Sequence, residues 1–269
     1  MTRPIVILLV PTYNSGGHFE YWADRIYHLN PKPDYVIFCE NNSWDNTLKN
    51  IQNFKLPHEL IRVWFRDDID VQIFKEDNEY LTICHIRQLL LTRARHLQPD
   101  YAIFLDDDVI PPKDFIKKIV ESGKDLVGGY YYRNFPEGLW VGCRFWKPNG
   151  KDNMLADDYW LKYLCQKETP QFVEGDFIVA EEFSGGCMAL SKKILNDKRL
   201  SFYPRALEQK YAAEDFGFCI KANELGYKPY LHRFLRCFHI LDKKNVRPWT
   251  ETNDSKGECI NYQWDKPLT

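Results

Sequence analysis

Ile5–Val10 is an unbroken apolar run closed by Pro11, which predicts a first strand buried on both faces. Phe19–Leu29 switches to helical spacing, with Trp22, Ile26 and Leu29 on one stripe. Tyr35–Cys39 is a second short β-run. Asp45 is placed to cap a helix over Leu48–Phe54, where Leu48 and Ile51 share a face. Leu60–Phe65 predicts a third strand. Thr82–Leu97 carries the strongest helical pattern, with Ile83, Ile86, Leu90, Ala94 and Leu97 aligned. Tyr101–Leu105 predicts a fourth strand, and it runs straight into three aspartates. Pro112 opens and Gly123 closes a helix whose apolar face is Phe115, Ile116, Ile119 and Val120.

The second half is less regular. Leu126–Tyr132 and Leu139–Trp146 predict strands joined by an Asn-Phe-Pro-Glu-Gly turn. Residues 147–181 are polar and weakly periodic and predict a loop-rich insertion. Ser184-Gly-Gly-Cys precedes an apolar strand ending at Ser191. Ala213–Leu225 predicts a helix stopped by Gly226, and Arg236–Leu241 a last strand containing His239. The tyrosines at 130–132 and the rings of Trp140, Phe145 and Trp146 read mainly as core, with room for one or two to serve as a stacking surface.

Strands alternating with helices predict an α/β fold: a three-layer sandwich with a mainly parallel central sheet. No internal repeat or Gly/Ser-rich or Pro-rich linker divides the chain. One domain is therefore expected over residues 1–241, followed by a polar tail over 242–269 in which Trp249 and Trp264 are possible anchors. Open sheets of this kind bind ligands beyond the carboxyl ends of their strands. That rule selects the segments after Val10, Cys39 and Leu105, which are Pro-Thr-Tyr-Asn, Glu-Asn-Asn-Ser and Asp-Asp-Asp.

Composition narrows the field. The 269 residues are 44% hydrophobic and 28% charged, which excludes disordered, collagen-like and coiled-coil classes. A net charge of −2 argues against bulk nucleic-acid binding. Ile5–Val10 is too short to span a bilayer and lacks a cleavage site, so no integral membrane segment is expected. None of the 8 cysteines forms a C-x-x-C pair, and most sit in apolar runs. Buried thiols in a cytoplasmic protein, soluble or peripheral to the membrane, are the expectation, with disulfides as the alternative that an even count leaves open.

The chemistry concentrates at Asp106-Asp107-Asp108. Three adjacent carboxylates at the end of a buried strand repel one another unless a cation neutralises them. Alternation along an extended segment would project Asp106 and Asp108 together, suiting a hard ion, Mn2+ or Mg2+, that bridges to a diphosphate. A solvated acidic turn is the plainer alternative. Glu214-Asp215 opens a predicted helix, where carboxylates also serve the helix dipole.

Pro11-Thr-Tyr-Asn, Glu40-Asn-Asn-Ser-Trp-Asp-Asn-Thr, Leu105-Asp-Asp-Asp-Val, Phe183-Ser-Gly-Gly-Cys-Met-Ala-Leu and Ala213-Glu-Asp-Phe-Gly-Phe-Cys-Ile-Lys-Ala occur in that order. Together they resemble the GT-A fold glycosyltransferases, nearest to glycosyltransferase family 2, over about residues 4–240. The resemblance implies a Rossmann-like nucleotide-sugar half over 1–125 and an acceptor half over 126–241. It implies transfer of a hexose from a UDP- or GDP-linked donor to an acceptor hydroxyl, with inversion. The acceptor would be a glycan, a lipid-linked sugar or a small molecule. Pro11 and Tyr13 would line the base pocket, and Glu40, with Asn42 beside it, would accept a base N–H. Arg87 would approach the nucleotide. Asp106 would touch ribose or metal, Asp108 and His239 would bind the metal, and Asp107 would face away or meet the nucleotide. Gly185 and Gly186 would let the backbone approach the sugar. Asp215 would be the general base, with Glu214 contacting donor or acceptor. A sugar nucleotidyltransferase is a competing reading, but Asn14-Ser-Gly-Gly-His lacks the basic residue its phosphate loop requires. A non-catalytic binding protein of the same fold is another, against which the acidic triplet and the Glu214-Asp215 pair stand.

Overall fold

The computed structural model describes residues 3–64, 78–135, 138–141, 143–144, 173–203 and 214–240. The first half follows the predicted alternation: β1 (Val6–Thr12), α1 (Phe19–Tyr27), β2 (Tyr35–Asn41), α2 (Thr47–Gln52), β3 (His58–Val63), α3 (Asn78–Leu97), β4 (Tyr101–Leu105), β5 (Val109–Ile110) and α4 (Phe115–Ser122). The second half contributes β6 (Leu126–Tyr130), the hairpin β7 (Tyr132–Phe135) and β8 (Gly138–Val141), and β9 (Cys143–Arg144). Then come β10 (Val173–Glu174), β11 (Phe177–Val179), β12 (Glu182–Phe183), β13 (Cys187–Ser191), α5 (Lys192–Asn196), α6 (Glu214–Glu224), β14 (Pro229–Arg236) and β15 (Phe238–His239).

The central sheet has nine strands in the order β10-β11-β14-β6-β13-β4-β1-β2-β3. Only β13 and β11 run against the common direction, so the sheet is mainly parallel as expected. All seven residues of β1 are buried, which explains its continuous apolar run. Ile7 and Leu9 face Ile86, Leu90, Leu91 and Ala94 of α3. Val6, Leu8 and Val10 face Phe19, Trp22 and Ile26 of α1 and Phe115, Ile116 and Ile119 of α4. The two cores on opposite sheet faces are the three layers. Burial of each such side chain contributes about 1.5–3 kcal/mol.

Several boundaries differ from the sequence expectation. Thr47 begins α2 with Asn46 in the cap position, yet the Asp45 carboxylate still accepts the Thr47 N–H at 2.9 Å, so its capping role survives. Leu126–Tyr132 is not one strand, because Tyr131 lies between β6 and β7. Tyr130 and Tyr131 enter opposite cores, as alternation predicts. The described part of 147–181 is not all loop: β10 and β11 extend the sheet there. A full strand, β14, precedes the one expected at Arg236–Leu241. The tail over 242–269 lies outside the described residues. Cys39, Cys84, Cys187, Cys219 and Cys237 are buried and unpaired, and burial pushes the Cys39 and Cys84 thiols up to about 12.

Candidate active site

The carboxyl ends of β1, β2 and β4 share one rim of the sheet with the start of the reversed strand β13. The Asp106 N–H donates to Gly186 O at 3.0 Å and carries the β4–β13 pairing one step past both strands. The Val109 N–H then donates to Asp106 O at 3.0 Å, so the acidic triplet is a tight turn rather than an extended strand end. The alternation of an extended segment, from which Asp106 and Asp108 are expected to project together, therefore does not apply here. The three neighbouring carboxylates meet different partners, which offsets their mutual repulsion.

Asp107 turns inward. It is 6% exposed, accepts a hydrogen bond from Ser15 Oγ and lies 3.5 Å from His18 Nε2. It therefore supports the β1–α1 loop. Asp108 points to the other side, where its Oδ1 is 3.6 Å from His239 Nε2. That meeting is built by the short β5–β15 ladder, which sets His239 opposite Val109, and by the Ile240 N–H donating to Asp108 O at 2.8 Å.

Asp106 faces Arg87. Arg87 is a buried hub with protein partners on every nitrogen. Its Nη2 donates to both Asp106 oxygens at 3.0 and 3.2 Å, its Nε to Glu214 Oε1 at 2.9 Å, and its Nη1 to Gly185 O at 3.1 Å. Burial opposes the charge on Arg87, but Asp106, Glu214 and Asp215 outweigh it and raise its pKa. Burial and the Asp215 charge push the Glu214 carboxyl up, against the pull of Arg87. The helix-terminus effect, which would weaken a carboxylate as a base, is thus overridden at Glu214. Asp215 is clamped: its Oδ2 accepts the Gly185 N–H at 2.6 Å and its Oδ1 the Phe216 N–H at 2.8 Å.

The two glycines are required by protein atoms. A Cβ on Gly186 would stand 2.3 Å from Tyr131 Oη and 2.7 Å from Asp106 Oδ2. On Gly185 it would stand 2.9 Å from Asp215 Cβ. Tyr131 also receives the Gly186 N–H at 3.2 Å; sequence reasoning placed Tyr131 in the core and missed this role.

At the β1–β2 end, Pro11 is buried within β1 and Tyr13 is 54% exposed, which excludes a core role for that ring. Asn42 holds a left-handed turn at φ 48°. Glu40 is not presented to a ligand: its carboxylate is fully buried, accepts the Ser43 N–H and receives Arg62 Nε at 3.2 Å. Arg62 carried no signal in the sequence.

Among the described residues, no group of three or more His, Cys, Asp or Glu side chains converges as a metal cage. Asp108 and His239 nevertheless fit a divalent ion of the type that takes one carboxylate and one imidazole and completes its shell with substrate phosphate oxygens and water.

Comparison with known families and with curated proteins gives no match for the sequence. Solved structures do match. TarS 1-349 of S. aureus aligns at a TM-score of 0.53 and 16% identity, covering 87% of this chain and 60% of that one. The same fragment in complex with UDP aligns at 0.51 and 17%. The mannosyltransferase PcManGT of Pyrobaculum calidifontis, solved with GDP-Man and Mn2+, aligns at 0.54 and 18%, covering 91% of this chain and 59% of that one. This chain has the GT-A fold. It spans less than two thirds of the length of these glycosyltransferases.

Proposed function

We propose that this chain is a glycosyltransferase that moves a sugar from a nucleoside-diphosphate donor to an acceptor hydroxyl with inversion. The observation that carries the proposal is the Arg87 hub, which brings the acidic turn after β4 and the Glu214-Asp215 pair to one rim of a GT-A sheet. Fold neighbours solved with UDP, or with GDP-Man and Mn2+, support that class of donor.

Asp215 is the general base. It is 3% exposed, the Gly185 and Phe216 N–H groups fix its carboxylate, and a substrate hydroxyl would use the further lone pair that each oxygen keeps. The acceptor oxygen attacks the anomeric carbon from the face opposite the diphosphate. The bond from that carbon to the diphosphate oxygen breaks with its electron pair, and Asp215 takes the hydroxyl proton. Glu214 stands beside Asp215 and is held in place by Arg87 Nε. Arg87 orients Asp106 and Glu214. Asp108 and His239 would hold Mn2+ or Mg2+, which offsets charge on the departing diphosphate. A glycan, a lipid-linked sugar or a small molecule would serve as acceptor in the cytoplasm or at a membrane surface. Among the described residues no helix is long and apolar enough to cross a membrane.

The test is transfer or donor hydrolysis with UDP-, GDP- and dTDP-sugars and Mn2+. Asp215→Asn is expected to lose about 10²–10⁴-fold in turnover while still binding donor. Asp108→Ala and His239→Ala are expected to lose the Mn2+-dependent part of nucleotide binding by calorimetry. Wild-type turnover in Asp215→Asn, or a retained anomer by proton NMR, refutes this assignment of the base.

A further inference from the structure

We propose that Arg62 selects the base of the donor and that the base is guanine; this rests on the transferase reading above. In the parallel register Thr12 pairs with Glu40, and Glu40 with Arg62. In-register residues of neighbouring strands face the same side, so these three share the α1 side of the sheet at its carboxyl rim. Glu40, the expected acceptor for a base N–H, is wholly buried and already bonded to the Ser43 N–H and to Arg62 Nε. Arg62 itself is 54% exposed, and its terminal nitrogens have no hydrogen-bond partner among the described residues. Of this ion pair, Arg62 therefore offers donors to a ligand, whereas the Glu40 carboxylate is taken up by protein partners.

A rigid guanidinium fork matches two adjacent acceptors, and guanine supplies them as O6 and N7. Uracil alternates acceptor, donor and acceptor, so its N3–H would need the carboxylate that Arg62 has taken. Adenine pairs its N7 acceptor with an amino donor. Exposed aromatic side chains follow the same strand ends. One exposed aromatic follows each of the three strands: Tyr13 after β1, Trp44 after β2 and Trp64 after β3. The Trp44 N–H donates to Asn14 Oδ1 at 3.1 Å, which ties the second of these exits to the first. A purine offers such rings more area than a pyrimidine.

The experiment is calorimetric titration of the full chain with GDP, UDP, ADP, dTDP and 7-deaza-GDP in Mn2+. GDP, UDP, ADP and 7-deaza-GDP carry the same ribose and diphosphate, so differences among these four report the base alone. GDP is expected to bind about tenfold tighter than UDP or ADP. Loss of N7 in 7-deaza-GDP is expected to remove most of that advantage. Arg62→Lys keeps a positive charge for the buried Glu40 but lacks the fork. It is expected to melt within about 2 °C of wild type and to bind GDP and UDP alike. If Arg62→Lys fails to fold, the wild-type comparison of GDP with 7-deaza-GDP still decides. Equal or tighter binding of UDP overturns the proposal, as does equal binding of 7-deaza-GDP or an Arg62→Lys effect shared by all bases. Failure of every nucleotide to bind overturns the transferase reading instead, so the two failures are distinct.

Discussion

Replacing Arg87 by Met tests whether this residue is a structural hub or a ligand contact. Met fills similar volume but leaves the Glu214 carboxylate, 7% exposed, and the Asp106 carboxylate without their cation. The lost bonds are three to carboxylate oxygens and one to Gly185 O. Charge-assisted bonds are worth about 1.5–3 kcal/mol each, but they share one cation and do not add. Breaking a buried pair from one side costs about 3–5 kcal/mol, and that is the expected loss in a urea titration. A domain of ordinary stability would remain folded with little margin. Glu214→Gln in the Arg87→Met background removes the stranded charge and is expected to recover about 2 kcal/mol, giving a large coupling in the double-mutant cycle. A nucleotide contact behaves in the opposite way, with stability kept and donor affinity lost. An Arg87→Met variant within about 1 kcal/mol of wild type, or additive single and double variants, would refute the hub.

Glu214 also sets a pH dependence. Burial holds its folded pKa above the ordinary 4.5, so the folded state keeps a proton that the unfolded chain releases. Its contribution is fully present below 4.5 and is lost as pH rises through the folded value. The stability difference between wild type and Glu214→Gln should therefore shift against wild type as pH rises across that window, and a flat difference would contradict the burial argument. Gly186→Ala drives a methyl into Tyr131 Oη and Asp106, so it is expected to cost about 1–3 kcal/mol and to weaken donor binding. Gly128→Ala, whose Cβ would sit 2.4 Å from the Phe183 ring, is the control: a similar loss on thermal melting with donor affinity preserved.

Much of this was legible in the chain itself. The apolar run of β1 and the stripes of α3 and α4 report burial directly, and the strand-end rule then locates Tyr13, Glu40 and the aspartates on one rim. Resemblance brought Glu214-Asp215 and His239 into view. What stayed hidden depends on register and on turns. β14 escaped because His232 and two arginines interrupt its apolar alternation, although Leu231 and Leu235 are buried. Arg87 was visible as a candidate but not as a hub, because its partners are 19, 98 and 127 residues away. Asp107 reads like its neighbours until the turn sends it to Ser15 and His18. Arg62 gains meaning only once β3 is aligned on β2 and stands opposite Glu40.

The guanidinium between Asp106 and Glu214 also limits how this protein can be recombined. Its positive charge sits in the segment before residue 125 and one of its two counter-ions in the segment after it. A chimera that swaps either segment for one from another protein of this fold would bring together mismatched charges at the centre of the joint. Shuffling here succeeds only where position 87 and position 214 travel as a pair.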